Sequence, residues 1–403
     1  MKHRIKVAIF TTTRADFGIL SSLIHCMEKD DIIEPMIFAG GTHLSEEHDH
    51  TLREIQELGF QINGTFDYLL NEDTSFSIAK SMGIACIELA HLFDKNHFDF
   101  VCLLGDRYEL LAIAAIAIIF KKPIIHLYGG EATEGVIDEQ IRHMITKAAH
   151  LHITACEEYA ANIRKMGEPE WRIFNCGALG IDNIVKMEKM SLGDIAEEIR
   201  YDPNAPFALM TYHPVTLEFH VPLKKQLENL FTALEDFSGQ LLITAPNMEV
   251  GRETVESVLI EKARDNRKIF FVKSLGVRKY LSLVRHCEFV IGNSSSGMVE
   301  APFFRIPTVN VGDRQKGRIR HESIIDTDYT VASIRKGIKK ALSKSFKTKL
   351  EQMEFKFGNG HAAEKMVEII KSTNIDQKLL RKRLDFQDTK RQKPKTQHID
   401  KPI

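Results

Sequence analysis

Two short polar clusters, each directly after an apolar run, carry the densest chemistry in this 403-residue chain. The first is Gly-Asp-Arg-Tyr-Glu, Gly105 to Glu109, after the run Val101 to Leu104. The second is Gly-Gly-Glu, Gly129 to Glu131, after the run Pro123 to Leu127, and Asp138, Glu139, Arg142 and His143 follow on a segment of helical pattern. Both runs read as buried parallel strands, and an open α/β sheet places its ligands at the C-terminal ends of such strands. Four to five carboxylates and two arginines therefore converge on one sheet edge. Side chains of these types are suited to moving protons and to holding an anion.

A second set lies at other strand ends. Thr11-Thr-Thr-Arg-Ala-Asp-Phe-Gly18 is a strand-to-helix turn. Its free backbone N–H groups favour an anion, to which Arg14 would add a bidentate contact; the same residues read equally well as a helix cap closed by Thr13 or Asp16. Gly40-Gly-Thr-His-Leu44 is a similar turn with weaker support. In Ile291-Gly-Asn-Ser-Ser-Ser-Gly-Met-Val-Glu300 a strand ends in a loop of small residues that opens a helix. Ser294 and Ser295 are placed there for a diphosphate, and Glu300 for ribose hydroxyls. Arg314, Gln315, Arg318 and Arg320 follow within one loop, which favours that reading over a plain Ser-rich turn. No Gly-x-Gly-x-x-Gly spacing or Walker loop is present, so a nicotinamide or flavin dinucleotide is not indicated. His213, in Tyr-His-Pro-Val-Thr216, lies just past another strand; Asn247, and Lys273, Ser274 and Leu275, end two more, the last three placed to read a nucleobase.

The elements that must position these residues alternate. Runs rich in Ile, Val and Phe are separated by amphipathic helical stretches, the pattern of βαβ units. Strands are expected at 6–11, 34–39, 61–65, 100–104, 123–127, 152–155 and 172–175. A second series is expected at 207–212, 240–245, 268–272, 289–292 and 307–311. The charged stretch from Asp182 to Pro206 reads as the connection. The fold class is α/β, with two doubly wound Rossmann-like domains facing a cleft. The division is residues 1–180, carrying the carboxylates; 181–360, binding the nucleotide; a closing helix within 361–375; and a basic tail, 376–403. From Lys378 onward nine Lys or Arg stand against three Asp, which predicts a disordered segment.

Composition sets bounds on partners. The net charge is -1, so no global field points to nucleic acid or an acidic membrane surface. The N-terminus reads as a first strand rather than a signal peptide, and the apolar segment Leu110 to Phe120 is shorter than the roughly 20 residues of a membrane span. A cytoplasmic protein is expected. The six cysteines are scattered and lack the pairing of a zinc or redox motif, so no metal is expected.

Taken in order, Thr-Arg-Ala-Asp (13–16), Gly-Asp-Arg (105–107), Gly-Gly-Glu (129–131), Ile-Asp-Glu-Gln-Ile-Arg-His (137–143), Tyr-His-Pro-Val-Thr (212–216) and Gly-Asn-Ser-Ser-Ser-Gly (292–297) resemble the hydrolysing UDP-N-acetylglucosamine 2-epimerases. The non-hydrolysing relatives usually carry Gly-Asp-Thr and His-Val-Glu-Ala-Gly where this chain has Arg107 and His126-Leu-Tyr-Gly-Gly-Glu131. The resemblance implies a glycosyltransferase-B-like fold, a UDP-sugar substrate in the cleft, no dissociable cofactor, no catalytic metal and a homodimer or homotetramer. It implies loss of UDP from sugar carbon 1 with removal of the carbon 2 proton, then addition of water and reprotonation on the other face, giving N-acetylmannosamine. Asp106 and Glu131 would be the main proton-transfer groups, with Asp138 and Glu139 assisting or orienting. Crowded carboxylates raise one another's proton affinity, so one can remain an acid near neutral pH. Arg14, Arg107, His213, Ser294, Ser295 and Arg318 would stabilise the diphosphate, with Asp16, Asn247 and Arg314 beside them; Glu300 would hold ribose, and the backbone at Lys273 to Leu275 uracil. Relatives with the same motifs act on UDP- or GDP-linked 2,4-diacetamido-2,4,6-trideoxy sugars, the alternative substrate.

Overall fold

The computed structural model describes residues 4–45, 51–70, 74–133, 137–214, 221–246 and 252–383. Its first sheet has seven parallel strands in the order β3-β2-β1-β4-β5-β6-β7. They are β1 (Ile5–Thr11), β2 (Ile33–Gly40), β3 (Ile62–Phe66), β4 (Phe100–Leu104), β5 (Ile124–Leu127), β6 (Leu151–Thr154) and β7 (Ile173–Asn175). The second sheet has six parallel strands in the order β10-β9-β8-β11-β12-β13. They are β8 (Phe207–Thr211), β9 (Gln240–Thr244), β10 (Ile269–Val272), β11 (Val290–Gly292), β12 (Thr308–Val311) and β13 (Ile324–Thr327). The central strands read as continuous apolar runs because helices cover both faces. Five of the seven β1 residues and all of β4, β5 and β8 are buried.

Helices of the first half are α1 (Arg14–Glu28), α2 (Leu52–Glu57), α3 (Ser75–Lys95), α4 (Tyr108–Ile119), α5 (Ile137–Ala148), α6 (Glu157–Lys165) and α7 (Leu179–Lys186). The rest are α8 (Leu192–Ile199), α9 (Leu223–Leu234), α10 (Arg252–Asp265), α11 (Gly276–Val284), α12 (Glu300–Phe303), α13 (Val331–Leu342), α14 (Lys344–Glu351), α15 (Ala362–Ser372) and α16 (Gln377–Leu380). One face of the first sheet packs on α1, α7 and α15 through Leu20, Ile24, Leu179, Met366 and Ile370. The other packs on α3, α4 and α5 through Leu89, Phe93, Ile113 and Ile145.

The chain passes between the sheets twice, and the passages touch at Gly177 and Gly358, both at positive φ (98° and 87°). A Cβ on either would come within 3.0–3.1 Å of the other's Cα. The Ala178 N–H donates to the Phe357 carbonyl at 2.9 Å. Beyond this crossing, α15 returns to the first half, where the buried Asp182 carboxylate accepts from the first two N–H groups of α15 at 2.9 and 2.7 Å.

Four features differ from the sequence reading. A boundary at 180 falls inside α7, and the second sheet begins only at Phe207. Strand β13 and helix α14 were not foreseen; β13, IIDT, holds two apolar residues and sits at a sheet edge. The longest apolar helix is α3 rather than the segment from Leu110: with 21 residues and mean hydropathy 1.3 it has the length and composition of a membrane span, while it packs in the fold against α4 and β3. The tail does not start disordered at 376. Leu379 is buried, Arg172 donates to the carbonyls of Lys378 and Leu379 at 2.9 Å each, and Lys382 donates to the Lys147 carbonyl at 2.7 Å and pairs with buried Glu168 at 2.9 Å. The rest of the expected tail, 384–403, lies outside the described residues.

Candidate active site

Each sheet has one point where strand order reverses, between β1 and β4 in the first and between β8 and β11 in the second. A crevice opens at the C-terminal ends of the strands there. Gly105 follows β4 at φ 89°, a left-handed turn that suits glycine. Its carbonyl accepts from buried His126 Nε2 at 2.8 Å. Burial pushes the His126 imidazole down to about 3, so the ring is neutral and acts as a strut. After β5 the Gly129-Gly130 turn has no room for side chains: a Cβ on Gly130 would overlap the Tyr159 carbonyl, and one on Gly129 would crowd His126 and Thr146. Asn162 donates to the Gly130 carbonyl at 2.9 Å. Glu131 is thus aimed by backbone that no larger residue could form.

Arg142 organises the acids. It is buried on α5 with its side chain 3% exposed. Nη2 ion-pairs with the Asp106 carboxylate and donates to Thr133 Oγ1 at 3.0 Å; Nη1 donates to Glu139 Oε2 at 2.8 Å and to the Glu131 backbone carbonyl at 3.0 Å. One guanidinium therefore ties together the turns after β4 and β5 and the first turn of α5. Glu139 is fully engaged, since it also accepts from the Thr133 N–H at 2.7 Å and lies 3.2 Å from His143 Nε2. Against burial, which would raise it, the Thr133 N–H, Arg142 and His143 hold the Glu139 carboxyl below its ordinary value. These contacts favour the ionised form of Glu139. Glu131 and Asp138 behave in the opposite way. Burial, then the Asp106 charge, raises both, while Arg318 and Arg142 temper Glu131, and Arg142 and Arg107 temper Asp138. The cluster thus holds two carboxylates paired to Arg142, Asp106 and Glu139, and two with raised proton affinity, Glu131 and Asp138, a combination suited to acid–base chemistry.

Across the second reversal, Asn293 after β11 accepts from the His213 N–H at 2.6 Å and donates to the His213 carbonyl at 2.8 Å. Burial and then Arg314 push the His213 imidazole down to about 4. The Arg314 guanidinium and the Gln315 amide both donate to the Asn293 carbonyl, at 3.3 and 2.8 Å. Ser294 caps the short turn Ser295–Gly297, and Ser295 is exposed. Arg318 lies in electrostatic reach of Glu131 on one side and Glu300 on the other. Glu300 Oε2 is buried with no hydrogen-bond partner among the described residues. A groove of about 1250 Å³ is lined by Arg14, Gly18, Asn183, Val277, Leu281 and Glu300.

The other expected ligands have the following surroundings. Asp16 is corrected from an anion ligand to a cap: its carboxylate accepts from the N–H groups of Thr12 and Thr13 at 3.0 and 3.1 Å and from the Thr11 hydroxyl, closing a capping box with Thr13. Arg14 pairs with Glu54 at 3.0 Å with its side chain 76% exposed. His43, in the Gly41–Leu44 turn, braces Thr11 Oγ1 at 2.9 Å. Lys273 and Ser274 are exposed at the end of the edge strand β10, and Leu275 is buried at the start of α11. Asn247 lies outside the described residues. The organiser Arg142 entered the sequence reading only as one of two arginines at that sheet edge, yet an arginine three residues after Glu139, on the face that carries Ile141 and Ile145, is itself a signal of a buried pair.

The sequence pattern of a family described as UDP-N-acetylglucosamine 2-epimerase matches residues 25–371. A GDP/UDP-N,N'-diacetylbacillosamine 2-epimerase (hydrolyzing) from Campylobacter jejuni is 36% identical over 344 residues, 85% of this chain and 88% of that protein. A UDP-N,N'-diacetylbacillosamine 2-epimerase (hydrolyzing) from Legionella pneumophila is 32% identical over 377 residues, 94% of this chain and 98% of that protein. Among solved structures, one described as a UDP-N-acetylglucosamine 2-epimerase from Listeria monocytogenes superposes with a TM-score of 0.77 at 18% identity, covering 92% of this chain and 96% of that one. That likeness concerns the fold.

Proposed function

This chain belongs to the hydrolysing UDP-N-acetylglucosamine 2-epimerase family, and from that premise we propose that its substrate is a UDP- or GDP-linked 2,4-diacetamido-2,4,6-trideoxy sugar. The observation that carries the choice of sugar is the pair of hydrolysing relatives, at 36% and 32% identity over most of both chains, that share this one substrate class. The reaction consumes one water, whose oxygen bonds to carbon 1 after the diphosphate has left, and releases the nucleoside diphosphate and the free 2-epimer.

In this reading Asp106, held by Arg142, takes the carbon 2 proton as the diphosphate leaves carbon 1. Glu131 and Asp138, whose surroundings favour the protonated form, protonate the departing oxygen and return a proton to the other face of carbon 2. Arg107 and Arg318 offset the charge that develops on the diphosphate, with Arg314 and the Ser294 and Ser295 hydroxyls. The ribose hydroxyls donate to the unpartnered Glu300 Oε2, and the neutral His213 serves as a donor or acceptor rather than a cation. The base lies along the groove beside α11, near Lys273 to Leu275.

We place the reaction in the cytoplasm, and a second copy of the chain on α3 and α4. Those neighbouring helices leave Phe76, Ile87 and Ile119 more than 60% exposed, a surface that pairing would cover. The test of substrate is kcat/KM for nucleotide release from the diacetamido sugar and from UDP-N-acetylglucosamine side by side. A higher value for the diacetamido sugar supports this reading, and the reverse order replaces it with the N-acetylglucosamine enzyme.

A further inference from the structure

Helix α4 reads YELLAIAAIAII, and Glu109 is its one charged residue. The side chain is fully buried. An ionised carboxylate on such a helix is costly unless partners require it. Glu109 Oε1 accepts from Arg107 Nε at 2.6 Å and from Thr12 Oγ1 at 2.7 Å. The Thr12 backbone N–H donates to Asp16 at 3.0 Å, so the two bonds tie the turn after β1 to the turn after β4 across the reversal of strand order. Arg107 itself stands at the N-cap position of α4 and keeps its side chain 44% exposed. Its Nε is held inward, and no bond to its Nη1 or Nη2 is found among the described residues. Both Arg107 and Glu109 act electrostatically on Asp138, which places the pair beside the proton-handling groups.

We infer that Glu109 is the positioning residue for Arg107: it anchors the guanidinium by Nε so that the two Nη groups stand ready as a fixed fork for the diphosphate of the substrate. The inference rests on the proposed hydrolysing reaction. It also explains the residue type, because an arginine anchored at Nε retains two parallel donors for phosphate oxygens, whereas a lysine has a single ammonium and a threonine no charge. The anchor removes rotamer freedom before substrate arrives, so its contribution falls on the step in which charge builds on the leaving group.

The test compares Arg107→Ala, Glu109→Gln and the double variant, each with and without added guanidinium, using nucleotide release as readout and the thermal midpoint as a fold control. Loss of a donor to developing charge lowers kcat by about 100-fold or more in Arg107→Ala. Glu109→Gln is expected to lower kcat by about 10-fold with KM little changed, and to add nothing in the Arg107→Ala background. Guanidinium is expected to restore part of the activity of Arg107→Ala and none of that of the double variant. Independent, multiplying effects, or equal rescue of both, overturn the inference while leaving Arg107 in the reaction. Wild-type turnover by Arg107→Ala overturns it by a different route, removing Arg107 from the proposed reaction. Should Glu109→Gln not fold, Glu109→Asp, which keeps the buried charge but shortens its reach, carries the same comparison.

Discussion

Arg142 on α5 ion-pairs with Asp106 beyond β4, and its other Nη group binds Glu139 at 2.8 Å. The acid proposed as the first base is therefore held by a residue 36 positions away in sequence. Arg142→Lys is expected to keep the charge but not the four contacts, lowering kcat far more than it raises KM. Arg142→Ala leaves Asp106 and Glu139 without their counter-charge. Because those carboxylates remain about a quarter exposed, the loss of stability is on the order of 2 kcal/mol, below the range for a fully buried pair. Chemical denaturation and steady-state kinetics on the two variants check both statements.

Glu131 should trade stability for chemistry. Its proton affinity is raised in the fold, chiefly by burial and then by Asp106. A carboxyl with a raised folded value contributes stability that is present below its unfolded value, about 4.3, and is lost as pH rises through the folded value. Glu131→Gln is therefore expected to raise the thermal midpoint relative to wild type at pH 7 to 8, with the difference shrinking toward pH 4, while turnover collapses. In the wild type the same protonated group fixes the alkaline limb of the pH–rate profile, where activity falls as the proton leaves. A variant less stable than wild type at pH 8 would count against this assignment.

The docked end of the chain should contribute to stability rather than to turnover. Removing residues after Ile375 takes carbonyl acceptors from buried Arg172, one lysine from buried Glu168 and the buried Leu379 from the core. Compared with a chain ending at Arg383, the expected loss is about 3–5 kcal/mol. Matched denaturation curves for the two truncations decide it, and coincident curves would show the contacts to be idle.

Light scattering on wild type is expected to give a dimer or tetramer, and Ile87→Lys with Ile119→Lys a smaller species. Both positions are exposed on neighbouring helices, so the substitutions do not disturb the fold. An unchanged mass in the double variant would move the pairing surface elsewhere.

What the sequence made legible follows from local physics. Parallel strands covered on both faces are continuous apolar runs, so β1, β4, β5, β8 and β11 and the polar residues after them stood out, and with them Asp106, Glu131, His213 and Ser294. Roles that depend on a distant partner did not. Asp16 looks the same in sequence whether it binds an anion or the N–H groups of Thr12 and Thr13. Arg142 and Glu109 are defined by what they reach across the strand ends. β13 has too few apolar residues to declare itself. The run of lysines and arginines after 377 hid the fact that backbone carbonyls and Leu379, rather than charge balance, hold that segment down.

The most direct test of the central claim is NMR of the protein with the UDP- or GDP-linked diacetamido sugar in deuterated water, with Asp106→Asn as control. The account predicts free 2-epimerised sugar carrying deuterium at carbon 2, stoichiometric nucleoside diphosphate, and neither product from the variant. Sugar released with its original carbon 2 hydrogen, or full turnover by Asp106→Asn, would contradict it.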